Sequence, residues 1–267
     1  MARVTHEWVT AGEDVVHVLD FGGTGRPVLF LHGVGGGAWT WEPVLEHLPG
    51  DLRLLSADLP GYGESRWRAD GDYASRSLAA TLGEVLRTLA AEPADVVGFS
   101  WGGLVGLALA AQRPSAVRRL AVLDIPPSTP LSDTDIPRLP VTFADQRAAV
   151  AASRGLAPRA TDRVLRRDAA HLTRPGPDGG YHRKMDPRLT HRWPFRAEDL
   201  WPELAAFPGP LLVVRAEQSP NLPAEVAERM VAVAPDAVLH TVADCGHLIP
   251  LERPAELAAA LAAFLRP

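Results

Sequence analysis

One cysteine, Cys245, stands in 267 residues. An intrachain disulfide and a cysteine-built metal cage are thereby excluded. Positive charge is not in excess: 27 Lys and Arg face 32 Asp and Glu, a formal net charge of −5. A nucleic-acid binder needs a strongly basic face, and nothing here supplies one. No apolar run is long enough to span a membrane, and the start, MARVTHEWVT, has no stretch of signal-peptide length. The G-x-G-x-x-G pattern and the P-loop lysine are absent, so the clustered glycines carry no phosphate-cradling signature. The expectation is a soluble, cytoplasmic protein acting on a small molecule. Neither nucleic acid nor membrane is expected as a partner, and no metal or organic cofactor. Length allows a monomer or a homodimer.

What is present is a rhythm. Short apolar runs recur: DVVHVLDF, PVLFLHG, LRLLSAD, ADVVGFS, VRRLAVLD, PLLVVRA and AVLHTVAD. Helical spacing lies between several of them. From Ser77 to Leu89 the apolar positions are Leu78, Leu82, Val85, Leu86 and Leu89. Residues 104–111, 224–233 and 255–265 read as helices too, the last with Pro254 near its start. Strands alternating with helices predict an α/β chain, a mostly parallel sheet covered on both faces. The first two runs leave no room for a crossover helix and are expected to pair antiparallel. The rhythm stops between Pro126 and about Pro208, which has no convincing strand and many Pro, Arg and His. Eighty residues are too many for a loop in a compact domain. Residues 126–208 are therefore expected to form a helical lid inserted into a core of 1–125 and 209–267.

Two glycine-rich segments carry the chemistry. GFSWGG, Gly98 to Gly103, follows an apolar strand and opens the helix LVGLALAA. A serine on so tight a strand-to-helix turn needs small neighbours, here Gly98 and Gly102. Its hydroxyl is exposed, and the helix N-terminus behind it favours negative charge. An ordinary helix-capping serine is the plain alternative. The second segment is LFLHGVGGGAWTW, Leu29 to Trp41. Acyl transfer needs two backbone N–H groups aimed at the developing oxyanion. Trp101, after the serine, supplies one and Val34, after His32-Gly33, the other; His32 is read as holding the loop. Near the C-terminus, CGHLIPLERP places His247 after the last strand, where a general base reaches Ser100. Cys245 sits too close to His247 in sequence to pair with it as a nucleophile and is read as a small buried side chain.

Together HGVGGG, DLPGYGES (Asp58 to Ser65), GFSWGG and CGHLIPLERP resemble the α/β-hydrolase family over essentially the whole chain. The resemblance implies an eight-stranded sheet and the chain order nucleophile, acid, histidine. A serine at the elbow sets it apart from the dehalogenase and epoxide-hydrolase branches, which place an aspartate there. Most members carry their acid after the strand that here reads PLLVVRA, as a glycine, two residues, then aspartate. This sequence has Ala216, Glu217, Gln218 and Ser219 in that frame. Asp124, ending the strand after the elbow helix, occupies the place used by some small bacterial esterases and by zearalenone lactonases. Asp124 is the first candidate, Glu217 the alternative acid, and a turn-forming role for Asp124 before two prolines remains open. Asp58 is read as shaping the turn beside the elbow.

The implied activity is a serine hydrolase cleaving an ester, thioester or lactone. A cofactor-free lyase, C–C hydrolase or cyclase, and a silent binding protein of the same fold, are the alternatives. Gly35, Trp39, Trp193 and Phe195 are the candidate substrate-binding residues, with core packing the alternative for the aromatics. The inserted segment is rich in arginine: Arg154, Arg159, Arg163, Arg166, Arg167, Arg174, Arg183, Arg188, Arg192 and Arg196, with Lys184, against Asp162, Asp168, Asp178 and Asp186. That charge either draws in an acidic substrate or forms a solvated surface.

Overall fold

The structure is a computed structural model that describes residues 4–128, 139–190 and 193–266. His191 and Arg192 lie outside the described residues. Eleven strands are present among those described: β1 (Thr5–Ala11), β2 (Asp14–Asp20), β3 (Pro27–Leu31), β4 (Arg53–Ala57), β5 (Ala94–Phe99), β6 (Val117–Leu123), β7 (Thr142–Phe143), β8 (Thr173–Pro175), β9 (Tyr181–Arg183), β10 (Leu211–Ala216) and β11 (Ala237–Val242). The helices are α1 (Glu42–Leu45), α2 (Ser75–Thr88), α3 (Trp101–Gln112), α4 (Gln146–Leu156), α5 (Asp162–Leu172), α6 (Trp201–Ala206), α7 (Ala224–Val233), α8 (Ile249–Glu252) and α9 (Pro254–Phe264). None of the described helices is long and apolar enough to cross a membrane.

Eight strands form one sheet in the order β1-β2-β4-β3-β5-β6-β10-β11. From β4 to β11 every neighbour is parallel; β2 runs antiparallel to both β1 and β4. The expected pairing of DVVHVLDF with PVLFLHG is thus corrected. β2 forms a hairpin with β1, across a two-residue connection whose Gly12 has φ +62°. A glycine takes that left-handed conformation without penalty, as tight hairpins require. β1 escapes sequence reading because it is an edge strand, largely exposed, with no apolar run.

Period-two alternation divides the strands between two cores. Leu29, Leu31, Val96, Leu120, Val122, Leu211 and Val213 face one cluster with α2, α3 and α7. Their alternates Val28, Phe30, Val97, Ala121, Leu123, Leu212 and Val214 face the other, with Leu257 and Leu261 of α9. α3 is buried from Trp101 through Ala110. A helix apolar on all sides needs cover on all sides, and here α2 and α6 complete what the sheet begins.

Between β6 and β10 the chain leaves the sheet. The described part of this segment carries α4 and α5, each capped by a side chain: Asp145 accepts from the Ala148 N–H and Thr161 from the Val164 N–H. It also holds a small antiparallel sheet in the order β7-β9-β8. The expectation of a strand-free segment is corrected here. Strands of two or three residues are too short to leave a period-two signal. α6 returns to pack on α3 and α7, so the segment rejoins the core before residue 208.

The arginines of this segment divide. Arg166 and Arg174 are exposed, as a solvated surface requires. Arg154 and Arg166 pair with Asp162 and Arg188 with Asp186 inside the segment, and others reach the core. Arg163 and Arg167 pair with Glu46, and Arg167 also with Glu42. Arg159 reaches Asp244 at 3.2 Å, and Lys184 reaches Glu64 at 2.5 Å. These are cations of the inserted segment on carboxylates of the core, so they fix how the segment sits.

Candidate active site

The turn between β5 and α3 puts Ser100 at φ +52°, ψ −126°. A non-glycine residue there is strained by about 1–3 kcal/mol and persists only where its surroundings force it. The surroundings do. A Cβ on Gly98 would lie 2.3 Å from the Gly102 carbonyl oxygen, and one on Gly102 would lie 2.3 Å from that of Leu31. The glycines let the turn close, and closing it presents the Ser100 hydroxyl.

His247, on the loop after β11, faces that hydroxyl with Nε2 at 3.2 Å from Oγ. Its Nδ1 lies 2.8 Å from Asp124 Oδ2. The ring packs 4.9 Å from the ring of Phe99. Asp124 follows β6 with φ +54° and is fully buried. Its second oxygen accepts from the Ala216 N–H at 3.0 Å. Both carboxylate oxygens thus have a donor, as a buried charge requires.

The structure places Glu217 elsewhere. It is exposed, and its Oε2 accepts from the Asp244 N–H at 2.9 Å. Ser219, in the frame where the family's usual aspartate stands, accepts from the Asn221 N–H at 3.2 Å. Neither bonds His247.

The His32-Gly33 loop runs directly against the serine: a Cβ on Gly33 would lie 2.8 Å from Ser100 Cβ. His32 Nδ1 donates to the Gly33 carbonyl at 2.7 Å, and Nε2 accepts from the Leu59 N–H at 3.0 Å. Burial pushes its pKa down, so the ring is neutral and splints the loop. Asp58 supports the next stretch. It accepts from the Ala38 N–H at 2.6 Å, the Glu64 N–H at 2.9 Å and His17 at 2.7 Å. Burial raises its pKa, and the His17 bond with the other donors outweighs that and holds it below the usual carboxylate range. Val34 follows the splinted Gly33, and Trp101 is the first residue of α3, where an N–H has no partner within the helix. Trp101's side chain is fully buried, its indole donating to Ser75 Oγ at 3.0 Å.

A cavity of about 60 Å³ is walled by Phe99 and Gly33, which adjoin Ser100, and by Val34, Gly35, Leu248 and Leu251 among others. Larger clefts, of about 390 and 380 Å³, lie beside Gly179 and beside Arg26, away from Ser100. Gly35 lines the cavity with φ +75°, where any other residue is strained, and a Cβ there would meet the tip of the Leu139 side chain at 2.9 Å. The three expected aromatics do not line it. Trp39 stacks on His171 at 4.1 Å, and Trp193 stacks on Phe195, which packs against Trp101. They are packing residues because flat rings fill interfaces between elements. Residues that sequence reading passed over line it instead, Asp168 and Arg183 among them. Both stood in the sequence only as members of a charged stretch.

Cys245 is buried, and burial pushes its thiol up to about 12, which leaves it inert at neutral pH. No group of three or more His, Cys, Asp or Glu among the described residues could hold a metal ion.

A strained serine between two obligatory glycines, bonded to a histidine on a loop past the last strand, under a helix-bearing insertion, is one family's arrangement. Residues 26–254 match the α/β-hydrolase fold family. The chain belongs to that family. This α/β-hydrolase is 32% identical over 268 residues to the esterase Rv0045c of Mycobacterium tuberculosis, covering 94% of this chain and 86% of that protein. The crystal structure of that esterase superposes with a TM-score of 0.81 at 30% identity, covering 99% of this chain and 92% of the other. A 3-hydroxybutyrate-oligomer hydrolase of Cupriavidus necator is 32% identical over 263 residues, 88% of this chain and 87% of its own. A 2-hydroxymuconate semialdehyde hydrolase of a Pseudomonas species is 30% identical over 255 residues, 91% and 88%. The protein is a hydrolase of this fold.

Proposed function

We propose that the protein hydrolyses a carboxylic ester, thioester or lactone through an acyl-enzyme. The observation that carries this reading is the position of His247, 3.2 Å from Ser100 Oγ and 2.8 Å from Asp124 Oδ2. Ser100 Oγ attacks the carbonyl carbon and His247 Nε2 takes its proton. The Val34 and Trp101 N–H groups receive the oxyanion. The tetrahedral intermediate collapses, and His247 returns the proton to the leaving oxygen or sulfur. Water then attacks the acyl-enzyme, giving its proton to His247, and Ser100 leaves with it. Asp124 holds the imidazole with Nδ1–H toward itself and stabilises the imidazolium. The Ala216 N–H keeps that carboxylate oriented. The inserted segment covers the acyl site as a lid, and the small cavity suits a short acyl chain. Relatives described as an esterase and an oligomer hydrolase support an ester substrate.

Fluorophosphonate labelling of Ser100, together with turnover of short esters, thioesters and lactones against a Ser100→Ala control, tests this. Labelling with turnover is expected. A second reading, C–C bond hydrolysis, draws on the relative that acts on 2-hydroxymuconate semialdehyde. Labelling without turnover of any ester, thioester or lactone favours that reading; absence of labelling in folded protein contradicts both.

A further inference from the structure

The wall of the cavity at Gly33 and Phe99 is built of glycines, apolar side chains and the hydroxyl residues Thr40 and Ser153, and two charged side chains enter it, Asp168 from α5 and Arg183 from β9. Both are buried, at 8% and 9% exposure. They feel each other's charge. No ion pair joins them among the described residues. Arg183 is held by carbonyls instead, donating from Nη1 to Gly35 at 2.9 Å and from Nε to Pro140 at 3.2 Å. Asp168 Oδ1 is buried without a hydrogen-bond partner. An unsatisfied buried polar atom costs about 1–3 kcal/mol, more if charged. Burial pushes the Asp168 carboxyl up to about 6 despite the opposing pull of Arg183. Asp58, a buried carboxylate that braces a loop, has three donors by contrast. Asp168 lines the cavity, and its Oδ1 has no donor among the described residues.

We propose that Asp168 and Arg183 form the polar end of the acyl pocket and select acyl chains bearing a neutral group that both donates and accepts, an alcohol or a carboxamide. The inference rests on the acyl-transfer reading above. Such a group gives its hydrogen to Asp168 and receives one from Arg183. A plain alkyl chain leaves Asp168 Oδ1 unanswered. A carboxylate meets Arg183 but is repelled by Asp168, and an ammonium the reverse. The opposite charges leave the pair nearly neutral, so it recognises polarity rather than net charge. Arg183 also ties the pocket to the oxyanion loop, because the carbonyl it holds belongs to Gly35, next to Val34.

The test uses N-acetylcysteamine thioesters of four acyl groups: butyryl, 3-hydroxybutyryl, succinamyl and succinyl. kcat/KM is measured for each after subtracting uncatalysed loss. The intact enzyme is expected to prefer 3-hydroxybutyryl or succinamyl over butyryl and succinyl by at least about tenfold, since sites built to bond a polar group reject analogues lacking it. Which of the two leads tells alcohol from amide. In Asp168→Leu the preference over butyryl is expected to fall to about one. In Asp168→Asn, which keeps the size and stays folded, it falls severalfold, a neutral acceptor being about half as strong. An unchanged preference in either folded variant overturns the proposal. So does an intact enzyme that takes butyryl as well as the polar chains, or one that prefers succinyl. If Ser100 neither labels with fluorophosphonate nor turns over any of the four, the acyl-transfer reading itself fails.

Discussion

Two neighbouring parallel strands, β6 and β10, each end in a carboxylate. Asp124 follows β6, and Glu217 follows β10. The first is fully buried, in a left-handed turn, with the Ala216 N–H on one oxygen and His247 on the other. The second is exposed and holds the Asp244 N–H of a neighbouring turn. Strand position alone gives both equal standing. The difference is supply of donors: a buried carboxylate can orient an imidazole only if its remaining oxygen is satisfied. The end of β10 contributes to the site through its backbone, the Ala216 N–H.

The sharpest test of that contrast is additivity. Ser100→Ala should lower kcat by about 10⁶-fold, and adding Asp124→Asn should cost little more, because groups acting as one unit do not add. Independent losses in steady-state rates would separate Asp124 from the unit. Asp168 is buried like Asp124, but its Oδ1 has no donor among the described residues. Its folded pKa, about 6, lies above the ordinary value of 3.8. The folded state therefore binds the proton more tightly than the unfolded chain. The resulting penalty is absent below about pH 4, grows as pH rises, and is complete above about pH 6. Asp168→Asn should be more stable than the parent by up to about 3 kcal/mol at pH 8 and equal to it near pH 3.5, in urea melts across pH. Glu217→Ala removes an acceptor from one exposed N–H and should cost about 1 kcal/mol in the same melts. Arg159→Ala, which breaks a partly exposed pair with Asp244, should cost less than about 1 kcal/mol.

Much of the core was legible in the sequence because its signals are local. An apolar strand followed by G-x-S-x-G carries its own steric logic, and so does His32-Gly33 before a glycine run. The candidate acid was legible as a pair of departures, a serine at position 219 and an aspartate at 124. What stayed hidden depends on distant contacts. β1 is an edge strand with few apolar residues, so its hairpin with β2 went unread, and β4, inserted between β2 and β3, replaces the expected β2–β3 pair. The strands β7, β8 and β9 are shorter than any period. Arg183 meets Gly35 across 148 residues of chain, and nothing near Arg183 or Asp168 distinguishes them from the solvated charges around them. The aromatics failed as pocket markers for the opposite reason, since a tryptophan is as useful between packed elements as in a wall.

The central claim is that the working acid is Asp124 and not Glu217. The most direct measurement is kcat for Asp124→Asn and Glu217→Gln in one thioester assay, with both proteins shown to be folded. Asp124→Asn should fall by about 10⁴-fold, and Glu217→Gln should stay within about twofold of the parent. The reverse, near-parental activity in Asp124→Asn with collapse in Glu217→Gln, would contradict the account.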